Sequence, residues 1–120
     1  MIDSYRDLIV WQKAMDFADE VYSLSKHFPK EEMYALTSQI RRAVVSIPSN
    51  IAEGKGRHAI AEYLHFLSIA QGSLAEVETQ IFLAIRFGYI TKELSIKAFE
   101  VSGEVSRMLS SLRSKLGNRP

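Results

Sequence analysis

Leu94-Ser-Ile-Lys-Ala98-Phe-Glu-Val101-Ser-Gly-Glu-Val105-Ser-Arg-Met108-Leu-Ser-Ser-Leu112 decides the fold class. Leu94, Ala98, Val101, Val105, Met108 and Leu112 alternate by four and three, the spacing of a helix that lays one seam along another helix. A helix over about residues 92–116 follows, with that seam turned to a core. Ile96, Phe99, Gly103, Ser106 and Ser110 project away from the seam, apolar anchors beside small residues where a monomer would carry charge. Exposed apolar surface of this kind marks a contact, so Ile96, Phe99 and Gly103 are expected at a subunit interface.

Working back along the chain, the same periodicity appears three more times. Residues 59–87 carry a stripe of Ile60, Leu64, Leu67, Leu74, Ile81 and Ile85, widened by Tyr63, Phe66, Ala70, Val77 and Ala84. Gly88 supplies a helix stop and Thr91 an N-cap for the helix that follows. Gly72-Ser73 would let another helix approach closely. Residues 29–54 carry Leu36, Ile40, Ala43, Val44, Ile47 and Ile51. Pro29, Glu31 and Glu32 suit a helix start. Pro48 removes one backbone donor while the apolar phase continues through Ile51, which predicts a kink rather than a break.

Residues 7–27 form the first segment, closed by Phe28-Pro29 because proline disfavours helical geometry in the residue before it. Leu8, Trp11, Ala14, Met15, Ala18, Val21, Tyr22 and Ser25 read as its core face. Val10, Phe17, Leu24 and Phe28 make a second stripe, wider than one bundle needs. Val10, Phe17 and Leu24 are therefore expected at a subunit interface. The sum is an all-α, antiparallel up-down four-helix bundle in a single domain over residues 1–120.

Composition agrees and sets bounds. A 120-residue chain, 47% hydrophobic and 24% charged, suffices for one core. With 0 Cys, disulfides and thiolate sites are excluded. Met1 to Trp11 carries Asp3, Arg6 and Asp7, unlike a signal peptide, and no window has the length of a membrane span. A cytoplasmic location is expected. Net charge is only +1, but residues 1–29 are acidic and Lys92 to Arg119 is basic, a polarity that can steer partners or join subunits.

Catalytic and metal motifs are sparse. Glu62-Tyr-Leu-His65 has the spacing of a di-iron ligand pair, but neither His27 nor His58 supplies a second such motif. His58, Glu62 and His65 share a helix face yet fall one ligand short of a structural zinc site. Gly54-Lys55-Gly56 lacks the spacing of a phosphate loop, and no serine sits in a nucleophile elbow. No enzyme activity, metal or cofactor is expected. The polar face of the second helix is more telling. Gln39, Arg42, Ser46, Ser49, Glu53 and Arg57 share one side, flanked by Arg41 and Lys55. Arginines and hydroxyls so spaced can contact phosphates, or can form a solvated or inter-subunit face.

Gln39-Ile-Arg-Arg-Ala-Val-Val-Ser-Ile-Pro-Ser-Asn-Ile-Ala-Glu-Gly54 stands between Asp7-Leu-Ile-Val-Trp-Gln-Lys-Ala14 and Phe66-Leu-Ser-Ile-Ala-Gln-Gly-Ser-Leu-Ala-Glu76. In this order the three blocks resemble the bacterial four-helix-bundle proteins encoded in 23S rRNA intervening sequences. One departure is Ala59, where relatives often carry a serine that would cap the third helix. The resemblance implies an up-down bundle assembled as a pentamer. The family is also similar in fold to the accessory variability determinant of diversity-generating retroelements, a basic pentameric barrel that engages a reverse transcriptase and nucleic acid.

No activity is firmly assigned in that family, and the expected role is a non-enzymatic homo-oligomeric adaptor that binds structured RNA or an RNA-containing complex, with a reverse transcriptase as a further partner. Arg41, Arg42, Lys55 and Arg57 are the expected phosphate contacts, joined by Lys97, Arg107, Arg113 and Lys115 if a ring aligns them. The alternative is a structural or protein-binding oligomer with no nucleic-acid role. In that case Arg41, Arg42, Asn50 and Glu53 would brace the Pro48 region and the subunit contacts.

Overall fold

A computed structural model describes residues 4–117, so Asp3 and Arg119 of the two charged ends lie outside the described residues. A 3-10 turn at Tyr5–Asp7 precedes α1 (Ile9–Ser25), and a second at Lys30–Glu32 precedes α2 (Leu36–Lys55). Then come α3 (Ile60–Arg86) and α4 (Lys92–Gly117), with no strand among the described residues. Short links make sequential helices antiparallel neighbours. α1 packs on α2 and α4, α3 packs on α2 and α4, and α2 and α4 stand diagonally without contact. The bundle is all-α and measures 49 × 25 × 20 Å.

The core holds Phe17, Ile40, Ile47, Ile51, Leu67, Leu74, Ile81 and Leu109, all essentially inaccessible. Every residue of the α2 stripe read from the sequence is buried. The phase of α1 differs from the sequence reading. Val10, Phe17 and Leu24 lie inside the protomer at 5%, 0% and 6% exposure, not on an outer stripe. They cannot offer surface to another subunit. Met15 and Tyr22, read as core, face outward. The reason is geometric: α1 fills the corner between α2 and α4, and the corner admits the wedge centred on Ala14, Phe17 and Val21. In α4, Leu109 is buried while Leu94 is exposed, so the seam is rotated slightly from the one predicted.

Helix α2 starts later than its sequence suggests. Lys30–Glu32 closes a 3-10 turn, and the α-helix begins at Leu36. A carboxylate does serve its N-terminus. One Glu32 oxygen accepts the Leu36 N–H at 3.1 Å, and the other accepts the Tyr89 hydroxyl at 3.0 Å from the α3–α4 link. Farther along, α2 continues through Pro48 as one helix, with Ile47 and Ile51 at 0% exposure. Proline leaves the Val44 carbonyl without its helical donor. Asn50 donates nearby to the Ser46 carbonyl at 2.7 Å and to Ser46 Oγ at 2.9 Å. Ser46 Oγ in turn meets Ser73 Oγ at 2.8 Å, tying α2 to α3.

The close approach of α2 and α3 is at Gly54, not at Gly72, whose Cβ position faces open space. Gly88, at φ 80°, ends α3 in a Schellman motif. Tyr89 N donates to the Ala84 carbonyl at 2.9 Å and Gly88 N to that of Ile85 at 3.0 Å. Thr91 Oγ1 accepts the Leu94 N–H at 3.2 Å, as an N-cap should. Ala59 holds the extended cap conformation of α3 without a side-chain cap bond.

The Glu32–Tyr89 contact predicts a pH effect. The hydrogen bond to the Glu32 carboxylate is the main cause raising the Tyr89 pKa, followed by desolvation and the charges of Glu32 and Glu31. A pKa raised by folding means that the neutral phenol is the form stabilised. Its contribution is complete at neutral pH and disappears as pH climbs through the raised value. Tyr89→Phe should lower the melting temperature at neutral pH, and the gap from wild type should close above the ordinary phenol value of 10.0. A gap that stays constant into strong alkali would mean that the bond plays no part.

Candidate nucleic-acid interface

Two grooves are lined by basic side chains with no carboxylate among the lining residues. The first, about 380 Å³, lies between α1, the Lys30–Glu32 turn and α2, and is lined by Tyr22, Met33, Tyr34, Thr37, Ser38, Arg41, Arg42 and Val45. The second, about 420 Å³, lies where the α2–α3 link meets the ends of α1 and α4. There Lys55, Arg57 and His58 surround Leu8, Ile60, Tyr63, Leu112 and Leu116.

Arg41 and Arg42 are adjacent in sequence but differ in state. Arg41 is half-buried, donates from Nε to Ser25 Oγ at 2.8 Å, and lies 4.9 Å from the Tyr22 ring centre. These two contacts hold the guanidinium while leaving its terminal nitrogens without a hydrogen bond among the described residues. Arg42 is exposed and makes no hydrogen bond or ion pair among them. It sits on the crest of α2, also bordering a groove with Gln39, Ser46, Ser73 and Glu76. In the second groove, Arg57 is engaged by Glu53 at 3.2 Å and by the Phe66 ring at 4.8 Å. Lys55 has no such partner among the described residues.

The α4 cations do not lie beside Arg41 and Arg42, because α2 and α4 are diagonal. Lys97 is exposed near the start of α4, at the opposite end from Lys55 and Arg57. The Arg107 guanidinium folds onto its own helix, 3.2 Å from where a Cβ on Gly103 would sit. Arg113 reaches Gln71 on α3 at 3.5 Å. Lys115 borders an apolar groove with Ile9 and Met108 between α1 and α4. Lys97 stands apart from the two grooves, whereas the groove that Lys115 borders shares Leu8 and Leu112 with the one lined by Lys55 and Arg57.

The expected interface on α4 is accessible. Ile96 is 56% exposed, and Phe99 is half-buried with its ring 4.7 Å from that of Phe82, itself 61% exposed on α3. Gly103 is shielded in part by Arg107. Sequence reasoning missed Phe82 and Tyr34. Tyr34 precedes Leu36 by two residues and so lies out of phase with the α2 stripe, a signal that could have exposed it. His65 packs edge-on against Phe66, and no group of three His, Asp or Glu side chains converges among the described residues. No helix among them is long and apolar enough to cross a membrane.

A closed antiparallel four-helix bundle with cationic grooves and an exposed aromatic ridge is the class of protein these features define. Residues 6–111 match the family described as 23S rRNA-intervening sequence protein, and the chain belongs to that family. It is similar to a crystal structure from Bacteroides thetaiotaomicron, a protein of unknown function from the S23 ribosomal protein family. The two share 29% identity and a TM-score of 0.80, over 88% of this chain and 98% of that one. None of the curated proteins matches the chain.

Proposed function

We propose that the protein is a non-catalytic, homo-oligomeric adaptor that binds RNA. The observation that carries this reading is the local excess of positive charge: with 15 basic and 14 acidic side chains in the chain, neither groove has a carboxylate among its lining residues, and Glu53 offsets only Arg57 of the second. Concave cationic sites position phosphates, and RNA supplies them at regular spacing. Self-association rests on the ridge formed by Phe82, Phe99 and Ile96, with Phe82 and Ile96 more than half exposed. The five-fold number and a reverse transcriptase among the partners come from the family resemblance. Assembly would repeat each cationic groove once per subunit, and repetition raises avidity without new contacts.

A second reading has one observation behind it. Arg41 already serves its own protomer through Ser25 and Tyr22, as a brace in a purely structural oligomer would. Arg42→Glu with Lys55→Glu separates the two, because neither side chain has a partner to lose among the described residues. The double variant should keep the helical circular dichroism spectrum and the particle mass while losing RNA affinity at low salt. Unchanged affinity would leave the structural reading standing. A wild-type particle of 13.6 kDa by light scattering at micromolar concentration would refute self-association.

A further inference from the structure

We propose that the groove between α1 and α2 holds an unpaired nucleotide, its base stacked on the Tyr34 ring and its phosphate on Arg42. The inference rests on the RNA reading and names the form of RNA. Tyr34 is 96% exposed, although the turn that bears it is pinned on both sides. Ala35 N donates to the Glu32 carbonyl at 2.9 Å, and Leu36 N to the Glu32 carboxylate at 3.1 Å. A large aromatic ring is thus presented to solvent on a fixed support. Met33, Tyr22 and Val45 line the same groove, each between 39% and 47% exposed.

The same concavity carries two guanidiniums, one fixed by Ser25 and Tyr22 and one unpartnered among the described residues. Its occupant must therefore join an apolar face to an anion. A nucleotide does so within one unit, and about 380 Å³ is the size of a site for one such group. Duplex RNA does not fit, since its bases are stacked on one another and offer Tyr34 no face. Aromatic rings flanked by arginines are how single strands are held with little sequence preference. The apolar ridge at Phe82 and Ile96 lies on α3 and α4, a different pair of helices from the one that forms this groove.

The test compares a labelled single-stranded ten-nucleotide RNA with the same sequence as a blunt duplex, by fluorescence anisotropy at low salt. Wild type, Tyr34→Phe and Tyr34→Ala are each measured, with particle mass followed by light scattering. Wild type should prefer the single strand, and Tyr34→Phe should retain that preference. Tyr34→Ala should weaken single-strand binding roughly five- to hundredfold, as loss of one base–aromatic stack does, with duplex binding unchanged. Equal binding by Tyr34→Ala and wild type would overturn the inference while the RNA reading survives. A wild type that binds neither RNA would end both. Dissociation of Tyr34→Ala into smaller particles would assign the groove to a subunit contact and overturn the inference.

Discussion

Phe17→Ala should lower the unfolding free energy by about 3–5 kcal/mol, the cost of removing a large aromatic side chain from a closed core. The ring is wholly inaccessible on the face of α1 turned to the bundle interior, beside Ala14 and Val21. A helix pinned between two neighbours cannot collapse far into the space vacated. Part of the loss is therefore the cavity itself, beyond the transfer free energy of the ring. Urea unfolding at fixed protein concentration measures this, concentration being held because assembly shifts apparent stability. Were Phe17 at a subunit contact, the substitution would instead lower particle mass and leave the protomer's fold intact.

Gly54→Ala should cost about 1–3 kcal/mol although it adds only a methyl group. The new Cβ would stand 2.9 Å from Phe66 Cβ, 3.0 Å from Tyr63 Cδ1 and 3.3 Å from the Tyr63 carbonyl. Two of these atoms are backbone or bonded directly to it, so a change of rotamer gives no relief. Helices α2 and α3 must move apart, and the Ser46–Ser73 contact higher in the same groove would lengthen with them. Gly56→Ala is the control. Its Cβ would meet nothing nearer than 3.6 Å, and the residue has a helical φ of −80°. There the substitution should be neutral or slightly stabilising, because alanine restricts the unfolded chain. Equal losses at both positions would show that helix packing at Gly54 is not the cause.

What the sequence disclosed followed from where its signals were local. The four-three seam through Ala98, Val101 and Val105, the stop at Gly88 and the cap at Thr91 depend on neighbours a few residues away, and all appear in the structure. The phase of α1 was not legible because the helix has apolar residues on two sides, and only the positions of α2 and α4 select between them. At the start of α2, Glu32 also accepts from Tyr89, 57 residues along the chain, a contact that no local pattern announces. The candidate site was legible only in part. Spacing placed Arg41, Arg42 and Lys55 on one helix. It could not say that α2 and α4 are diagonal, that Ser25 and Tyr22 claim Arg41, or that Tyr34 stands clear beside Arg42.

The salt dependence of RNA binding bears most directly on the proposed role of the cationic grooves. Each phosphate neutralised by Lys or Arg releases bound counterions, so the logarithm of the binding constant falls linearly with the logarithm of salt, by about 0.7 per contact for single strands. A titration between 50 and 200 mM salt should give such a line for wild type. For Arg42→Glu with Lys55→Glu the line should be both lower and flatter. A wild-type binding constant that does not change with salt, or the same slope in the double variant, would contradict phosphate recognition by these grooves.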